Sequence, residues 1–354
     1  MKRKNVLIYI LAAAIAVSGI LFYTLNNRGD EGREIIISRE STKDYILDKY
    51  DDGFVTYNGV ELIHYDSDME QQWVCMIDEA GAAVYVEGKY ILLFGENDRI
   101  VSVKDGKIVT DIKSDKALRR ASVNENGCIT ALTSDRGYKG QCFVYSDAGK
   151  LMAEFSFGEK YILGAYLMSD NKTLVMNVID DKDNGYISKI LYADIKRGEI
   201  KKEIEADGIN SYMKLYRDKV FSVNGRTLYC YDKNGNEKWS YDIGSEDIYN
   251  IGFSGNYISM AVKSEDNFGA AEIITFKLGG RLKGRYAADA QITAFDVSEG
   301  CTAVCVNGKI ILLNSGGKVV SEIEAQQNTD SIKLFGNDKV LMISEKAVMQ
   351  RFGR

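Results

Sequence analysis

The sequence has no proline and only one histidine in 354 residues. A single histidine excludes zinc sites that use several histidines, and a Ser-His-Asp triad would have to use His64. His64 lies within a strand-like apolar run, so we interpret it as a packing residue, with a catalytic role as the alternative. Without proline, the turns must be formed by Gly, Asn and Asp. The glycine pairs at 279–280 and 316–317 are expected to adopt the positive φ of tight turns.

The six cysteines include no adjacent pair and no Cys-x-x-Cys motif. All of them lie in apolar, strand-like runs. Cys301 and Cys305 are four positions apart in one such run, which separates them by about 13 Å and is too far for a disulfide. We interpret the cysteines as buried thiols, with disulfides between other pairs as the alternative. The sequence predicts no metal site and no cofactor.

Positive charge is in deficit, since 45 Lys and Arg face 51 Asp and Glu, giving a formal net charge of −6. Nucleic acids and anionic lipid surfaces attract the opposite sign. Neither is therefore expected as a partner.

Long hydrophobic runs are absent except at residues 6–25, VLIYILAAAIAVSGILFYTL. A helix of this length spans roughly 30 Å, the thickness of a bilayer core. Lys2, Arg3 and Lys4 precede it and favour a cytoplasmic N-terminus. The bulky end LFYTLNN disfavours cleavage, so an uncleaved signal anchor is expected, with a cleaved signal peptide as the alternative. The predicted domains are a cytoplasmic segment (1–5), a transmembrane helix (6–25), a linker (26–32) and an extracytoplasmic domain (33–354).

A repeated hairpin organises the rest of the chain. ELIHYDSDMEQQWVCMI at 61–77 returns as TLYCYDKNGNEKWSYDI at 227–243. Four positions match at an offset of 166 residues: Leu62 and Leu228, Tyr65 and Tyr231, Asp66 and Asp232, Trp73 and Trp239. Seven such hairpins recur at steps of 37 to 47 residues. A period near forty with strand-type alternation is typical of four-stranded propeller blades.

The two ends of the repeat region are incomplete. Three strand-like runs close the chain at 331–352, while REIIIS at 33–38 stands alone. Pairing this strand with the C-terminal blade would close a ring without an exposed edge. The sequence thus predicts an all-β, eight-bladed β-propeller of four-stranded blades closed by the N-terminal strand, with seven blades as the alternative.

The hairpin from Tyr231 to Ser240 resembles the repeat of PQQ-like, quinoprotein-type β-propellers. In style the chain is most similar to the membrane-anchored bacterial propellers of unknown role in that group. The quinone-dependent dehydrogenases of the family use an adjacent cysteine pair, an aromatic floor and calcium ligands in the central funnel. This chain has no adjacent cysteines, and Trp73 and Trp239 fall in outer strands, so quinone chemistry is not expected.

Three loops between second and third strands are long and carry an aromatic residue: Tyr138, Tyr186 and Phe268. Such loops share one face of a propeller, and exposed aromatic residues anchor protein contacts. We predict these residues as a partner-binding surface, with rings folded back on their own blades as the alternative. The loop DDKDNGY at 180–186 partly fits a calcium pattern, but Lys182 occupies a ligand position, and a solvated loop is expected.

These features predict a membrane-anchored extracytoplasmic propeller, without catalysis, that acts as a protein-binding or scaffolding module. The expected partner is a protein of the bacterial cell envelope. Two alternatives use the central channel: an enzyme, either a quinoprotein-like oxidoreductase or a glycan-acting hydrolase, and a glycan-binding lectin.

Overall fold

The computed structural model describes residues 34–35, 46–79, 81–95, 98–182, 185–206, 208–244, 247–264, 270–344 and 346–352. These residues form eight four-stranded antiparallel sheets arranged as the blades of a propeller. The predicted eight-bladed all-β fold is confirmed, and the seven-bladed alternative is wrong. No helix within the described ranges is long and apolar enough to cross a membrane. The predicted anchor at 6–25 lies outside those ranges.

The strands follow one another along the chain, four to a blade, except that β1 joins the last blade. Blades 1 and 2 contain β2 (Ile46–Tyr50), β3 (Gly53–Tyr57), β4 (Glu61–Tyr65), β5 (Gln71–Met76), β6 (Ala83–Glu87), β7 (Tyr90–Phe94), β8 (Arg99–Lys104) and β9 (Lys107–Lys113). Blades 3 and 4 contain β10 (Ala117–Val123), β11 (Ile129–Asp135), β12 (Tyr138–Tyr145), β13 (Leu151–Phe157), β14 (Lys160–Leu167), β15 (Thr173–Lys182), β16 (Gly185–Asp194) and β17 (Glu199–Glu205). Blades 5 and 6 contain β18 (Asn210–Tyr216), β19 (Lys219–Asn224), β20 (Thr227–Tyr231), β21 (Glu237–Asp242), β22 (Ile248–Ser254), β23 (Tyr257–Lys263), β24 (Ala271–Lys277) and β25 (Leu282–Ala288). Blades 7 and 8 contain β26 (Ile292–Ser298), β27 (Cys301–Val306), β28 (Lys309–Leu313), β29 (Val319–Glu324), β30 (Ser331–Phe335), β31 (Lys339–Ile343), β32 (Ala347–Arg351) and β1 (Glu34–Ile35).

The position of a strand within its blade explains its composition. Second strands such as β7, YILLF, are apolar along their length because neighbouring blades cover both faces of the sheet. The fourth strand β17, EIKKEIE, instead alternates exposed charged residues with half-buried ones, as expected where one face meets solvent. The first strands of neighbouring blades contact one another around the centre and form the wall of the channel.

The meander order within each blade defines two faces of the disc. First and third strands begin at one face, where second and fourth strands end. We call this the upper face and the opposite one the lower face. Loops between second and third strands therefore lie on the upper face, and the hairpin turns between third and fourth strands lie on the lower face.

The core is divided among the eight contacts between neighbouring blades. Each contact contains one apolar cluster with side chains from both blades. Blade 8 packs on blade 1 in the same manner, with Phe335, Leu341 and Met349 against Phe54 and Met69. Strand β1 pairs with β32 in the register Glu34 with Val348 and Ile35 with Ala347, which gives blade 8 a fourth strand.

The aspartate of the repeated hairpin forms the turn. The Asp66 carboxylate accepts hydrogen bonds from the backbone N–H groups of Asp68 and Glu70 at 2.9 and 3.0 Å. Asp232 does the same for the second and fourth residues after it, both at 2.9 Å. A side chain that imitates a backbone turn in this way fixes the hairpin, so the motif is structural.

The two tryptophans lie in fourth strands, as predicted, and each packs on the turn of the next blade. Trp73 covers Gly106, and Trp239 covers Gly280. The Trp239 indole N–H also donates to the carbonyl of Leu278 at 3.1 Å. The repeated tryptophan thus joins one blade to the next.

All six cysteines are free, and five of them are buried. Burial raises the pKa of the Cys230 thiol to about 11. The interpretation as buried apolar side chains is confirmed for these five, whereas Cys301 is half-buried. A raised thiol pKa makes such groups poor nucleophiles.

Candidate functional site

Two of the three predicted anchor residues lie exposed on the upper face. Tyr138 is 47% exposed and Tyr186 is 59% exposed, so a large part of each side chain meets solvent. They lie at the start of the third strands of blades 3 and 4, next to the loops between second and third strands. Phe268 lies outside the described residues. The role of this surface stays a prediction.

The first strands add a feature that the sequence analysis missed. In blades 3 to 7 the pairing of first and second strands shifts by one residue near the upper end. The shift leaves one extra residue per blade, and all five are exposed: Arg119, Leu163, Ser211, Tyr249 and Thr293. A β-bulge re-aims a side chain that regular alternation would direct elsewhere. The five bulges therefore place one side chain per blade at the upper end of the channel wall.

Contacts between blades 3 and 4 hold part of this surface in place. The Lys139 ammonium lies 5.2 Å from the centre of the Tyr161 ring. Gly140 approaches the same strand so closely that a Cβ atom would lie 2.8 Å from the carbonyl oxygen of Lys160. Tyr161 and Leu163 are exposed beside this contact. The close contact between the two blades thus holds the exposed side chains of Tyr161 and Leu163 in fixed positions.

The channel wall contains carboxylates that are paired with lysines. The Lys49 ammonium lies 2.7 Å from the Asp296 carboxylate, and Lys333 lies 2.7 Å from Asp48. These pairs join blade 1 to blades 7 and 8. Glycoside hydrolysis requires two carboxylates that face each other. Here each of these carboxylates faces a cation instead. Among the described residues there is no group of three or more side chains suited to hold a metal ion.

Contacts of Lys214 with Tyr85 and Glu87 join blades 2 and 5 across the channel. The Lys214 ammonium donates to the Tyr85 hydroxyl at 3.0 Å and lies 3.7 Å from the Glu87 carboxylate. Burial, followed by the charge of Glu87, raises the pKa of Tyr85 far above its ordinary value. Tyr85 is therefore a neutral hydrogen-bonding group that stabilises the channel wall.

His64 is buried between two aromatic rings at the contact of blades 1 and 2. Its ring centre lies 5.0 Å from that of Tyr50 and 5.3 Å from that of Trp73. Neither ring nitrogen has a hydrogen-bond partner in the part of the chain that the structure describes. Burial lowers the pKa of His64, against the opposing effect of nearby aspartates such as Asp52. This environment agrees with a packing role.

The expectation of a solvated loop at 180–186 is wrong for the start of this segment, because Asp180 lies within β15. Asp180 is buried, and its carboxylate lies 2.9 Å from the Lys189 ammonium and 3.5 Å from that of Lys160. The hydrogen bond from Lys189 keeps the pKa of Asp180 below its ordinary value. The two ammonium groups already neutralise this carboxylate.

Solved structures with the same architecture cover most of the chain at low identity. BamB from Moraxella catarrhalis gives a TM-score of 0.54 at 13% identity, covering 90% of this chain and 96% of its own. The designed protein Ika8 gives 0.61 at 13% identity, covering 90% and 100%. The C-terminal WD40 domain of Sif2 gives 0.59 at 14% identity, covering 91% and 99%. Identities this low show a shared propeller fold.

Comparison of sequences gives a narrower result. No curated protein matches the chain. The sequence profile of one family matches residues 27–350, a range that reaches from before β1 into β32. The chain therefore belongs to DUF5711, a family of unknown function.

Proposed function

We propose that this protein is a membrane-anchored, extracytoplasmic propeller that binds a protein partner of the bacterial envelope on its upper face and catalyses no reaction. The observation that carries the proposal is the exposure of Tyr138 and Tyr186 on one face of a rigid disc. Exposed tyrosines combine a large apolar surface with a polar group, and they are enriched where proteins bind one another. Phe268, predicted on the same face, belongs to this proposal.

The direction of strand β1 relates the upper face to the membrane. Blade 8 follows the order β30, β31, β32 and β1, so the chain runs through Glu34 and Ile35 from the lower towards the upper side. An anchor at 6–25 that precedes this strand would hold the lower face towards the bilayer. The tyrosines would then face away from the membrane, where an envelope protein can reach them. Closure of the ring by the N-terminal strand is part of this proposal.

The pairing of channel carboxylates with lysines supports binding over catalysis. The carboxylates of Asp48, Glu87 and Asp296 each lie within 4 Å of a lysine ammonium. Each of these carboxylates therefore faces a cation, whereas glycoside hydrolysis needs two carboxylates that face one another. The PQQ-like resemblance of the hairpin then concerns the architecture and not quinone chemistry.

Photocrosslinking in cells tests the binding face. A photoreactive phenylalanine analogue would replace Tyr138 or Tyr186 in the full chain. Ala148 and Arg197, in the lower turns of the same two blades, provide matched control positions. We expect a discrete crosslinked partner from the upper positions and none from the lower ones. Equal crosslinking from both faces, or crosslinks from the lower face alone, would contradict the proposal.

The double replacement of Tyr138 and Tyr186 by alanine supplies the quantitative measurement. Both rings are exposed, so the folded protein should keep its thermal midpoint. The affinity for the partner should fall about thirtyfold, because aromatic anchor residues contribute on the order of 2 kcal/mol or more. Recovery of the partner with the full chain should fall with it. Unchanged recovery would show that the partner uses another surface.

A further inference from the structure

Two consecutive arginines stand at the upper end of the channel wall. Arg119 is the bulged residue of β10, and Arg120 follows it. Successive side chains of a regular strand point to opposite faces, but the bulge interrupts this alternation, and both arginines are exposed. Their charges therefore meet solvent at the same end of the channel.

Within the described ranges, both guanidinium groups bond only to neutral atoms. Arg119 donates to the Ser134 hydroxyl at 3.1 Å, and Arg120 donates to the carbonyl oxygen of Leu163 at 3.3 Å. No carboxylate of the described residues forms an ion pair with either of them. A guanidinium group has five N–H donors, so most donors of both arginines remain available.

Other cations of the channel differ in this respect. Lys49, Lys214 and Lys333 each form an ion pair with a carboxylate of another blade. Near the arginines, the Asp98 carboxylate accepts the backbone N–H of Leu118, and Lys116 lies 3.6 Å from Asp135. Asp98 and Asp135 are thus engaged with other partners, although acidic residues outnumber basic ones in the chain.

Apolar groups lie at the same end of the channel, next to the arginines on blade 4 and further round the ring on blade 6. Tyr161 and Leu163 on β14 and Tyr249 on β22 are exposed, and Leu163 and Tyr249 are themselves bulged residues. We call Arg119, Arg120, Tyr161, Leu163 and Tyr249 the upper mouth. It combines positive charge with aromatic and aliphatic surface.

We propose that the upper mouth binds an acidic peptide segment of the partner, in which carboxylates alternate with apolar side chains. This inference rests on the proposed function and adds the chemistry that the partner must present. Carboxylates fit the planar fork of a guanidinium, and apolar side chains cover exposed Leu163 and the two tyrosines. An anionic oligosaccharide would satisfy the arginines but not the aliphatic side chain of Leu163.

Peptide binding to the full chain in lipid nanodiscs tests this inference. Fluorescein-labelled peptides would alternate Asp or Glu with Leu or Phe. Matched pools would carry Asn and Gln, or Lys, in place of the acids, and a uronic-acid oligosaccharide would serve as competitor. We expect the acidic pool to bind about tenfold more tightly than the neutral one, and added salt to reduce the difference. Equal binding of the two pools, or tighter binding of the oligosaccharide, would overturn the proposal.

Variants connect binding to the arginines. Arg119→Gln with Arg120→Gln should weaken binding of the acidic pool about tenfold, whereas the double lysine variant keeps the charge but loses the planar fork and should bind with intermediate affinity. Arg281→Gln with Lys318→Gln removes the same charge from lower-face turns and should leave affinity unchanged. If the glutamine variant has the parent's urea midpoint and still binds acidic peptides as the parent does, the inference is wrong. The glutamine variant can also be tested for crosslinking of the partner at Tyr138 and Tyr186. If that crosslinking is unaltered, the proposed function stands and the acidic peptide is rejected as its ligand.

Discussion

Replacing Gly280 by alanine should destabilise the contact between blades 5 and 6. Gly280 has a φ of +87°, and a Cβ atom there would lie 2.6 Å from Cγ of Trp239. A left-handed conformation costs an L-residue about 1–2 kcal/mol. Displacing the indole adds an overpacking cost of about 1–3 kcal/mol and breaks its hydrogen bond to Leu278. We expect a total loss of about 3 kcal/mol.

The neighbouring glycine provides the control for this prediction. Gly279 has no left-handed φ, and a Cβ atom there meets nothing within 4 Å, so Gly279→Ala should stay within about 0.5 kcal/mol of the parent. Urea unfolding of the full chain, followed by circular dichroism, measures both variants. In a Trp239→Ala background, the Gly280→Ala increment should fall to the backbone part, about 1 kcal/mol. Equal midpoints for the two alanine variants, or an increment that does not depend on Trp239, would refute this reasoning.

Two further predictions concern buried charges. Because burial lowers the pKa of His64, the unfolded chain takes up a proton at a higher pH than the folded one, and stability should fall as pH drops below about 6.5. In His64→Phe, thermal midpoints measured across this range should fall less, and an unchanged pH profile would count against the burial argument. Asp180→Asn leaves the partly buried Lys189 beside a neutral amide, with Glu203 at 3.5 Å as its remaining carboxylate, and should cost about 2 kcal/mol in urea unfolding. The joint replacement of Asp180 by Leu and Lys189 by Met should cost less. A joint loss equal to or larger than the single loss would show that the lysine does not carry the penalty. Because the pKa of Asp180 is lowered, its contribution is present above the unfolded pKa of about 3.9 and disappears as pH falls through the folded value.

The number of blades could be predicted because short-range contacts require certain residues at a fixed position in each repeat. Asp66 and Asp232 form their turns with backbone groups two and four residues away, and Trp73 and Trp239 pack on the turn of the following blade. Such residues are needed at one fixed place in the repeat, so their spacing reports the blade length. The position of Tyr138 and Tyr186 at the upper ends of their blades followed from the same count. The long loops predicted there are wrong, because the third strands β12 and β16 extend to include both residues.

The upper mouth could not be predicted in this way. Which residue is bulged depends on the register between two strands, and ALRRASV reads as an ordinary strand. The channel pair Lys49 and Asp296 is likewise set by ring closure and not by any local pattern. The glycine pairs show the same limit on a smaller scale: Gly280 and Gly317 have positive φ as expected, but Gly279 and Gly316 do not.

Since blade 8 packs on blade 1, the array has no terminal repeat. In a linear stack of repeats the outermost unit has one neighbour and can fray alone, whereas each blade here would uncover two apolar clusters if it came away. If the backbone were cut between blades 4 and 5, the two halves would therefore stay together through two contacts, that of blades 4 and 5 and that of blades 8 and 1. The molecule should lose its structure as a whole rather than blade by blade.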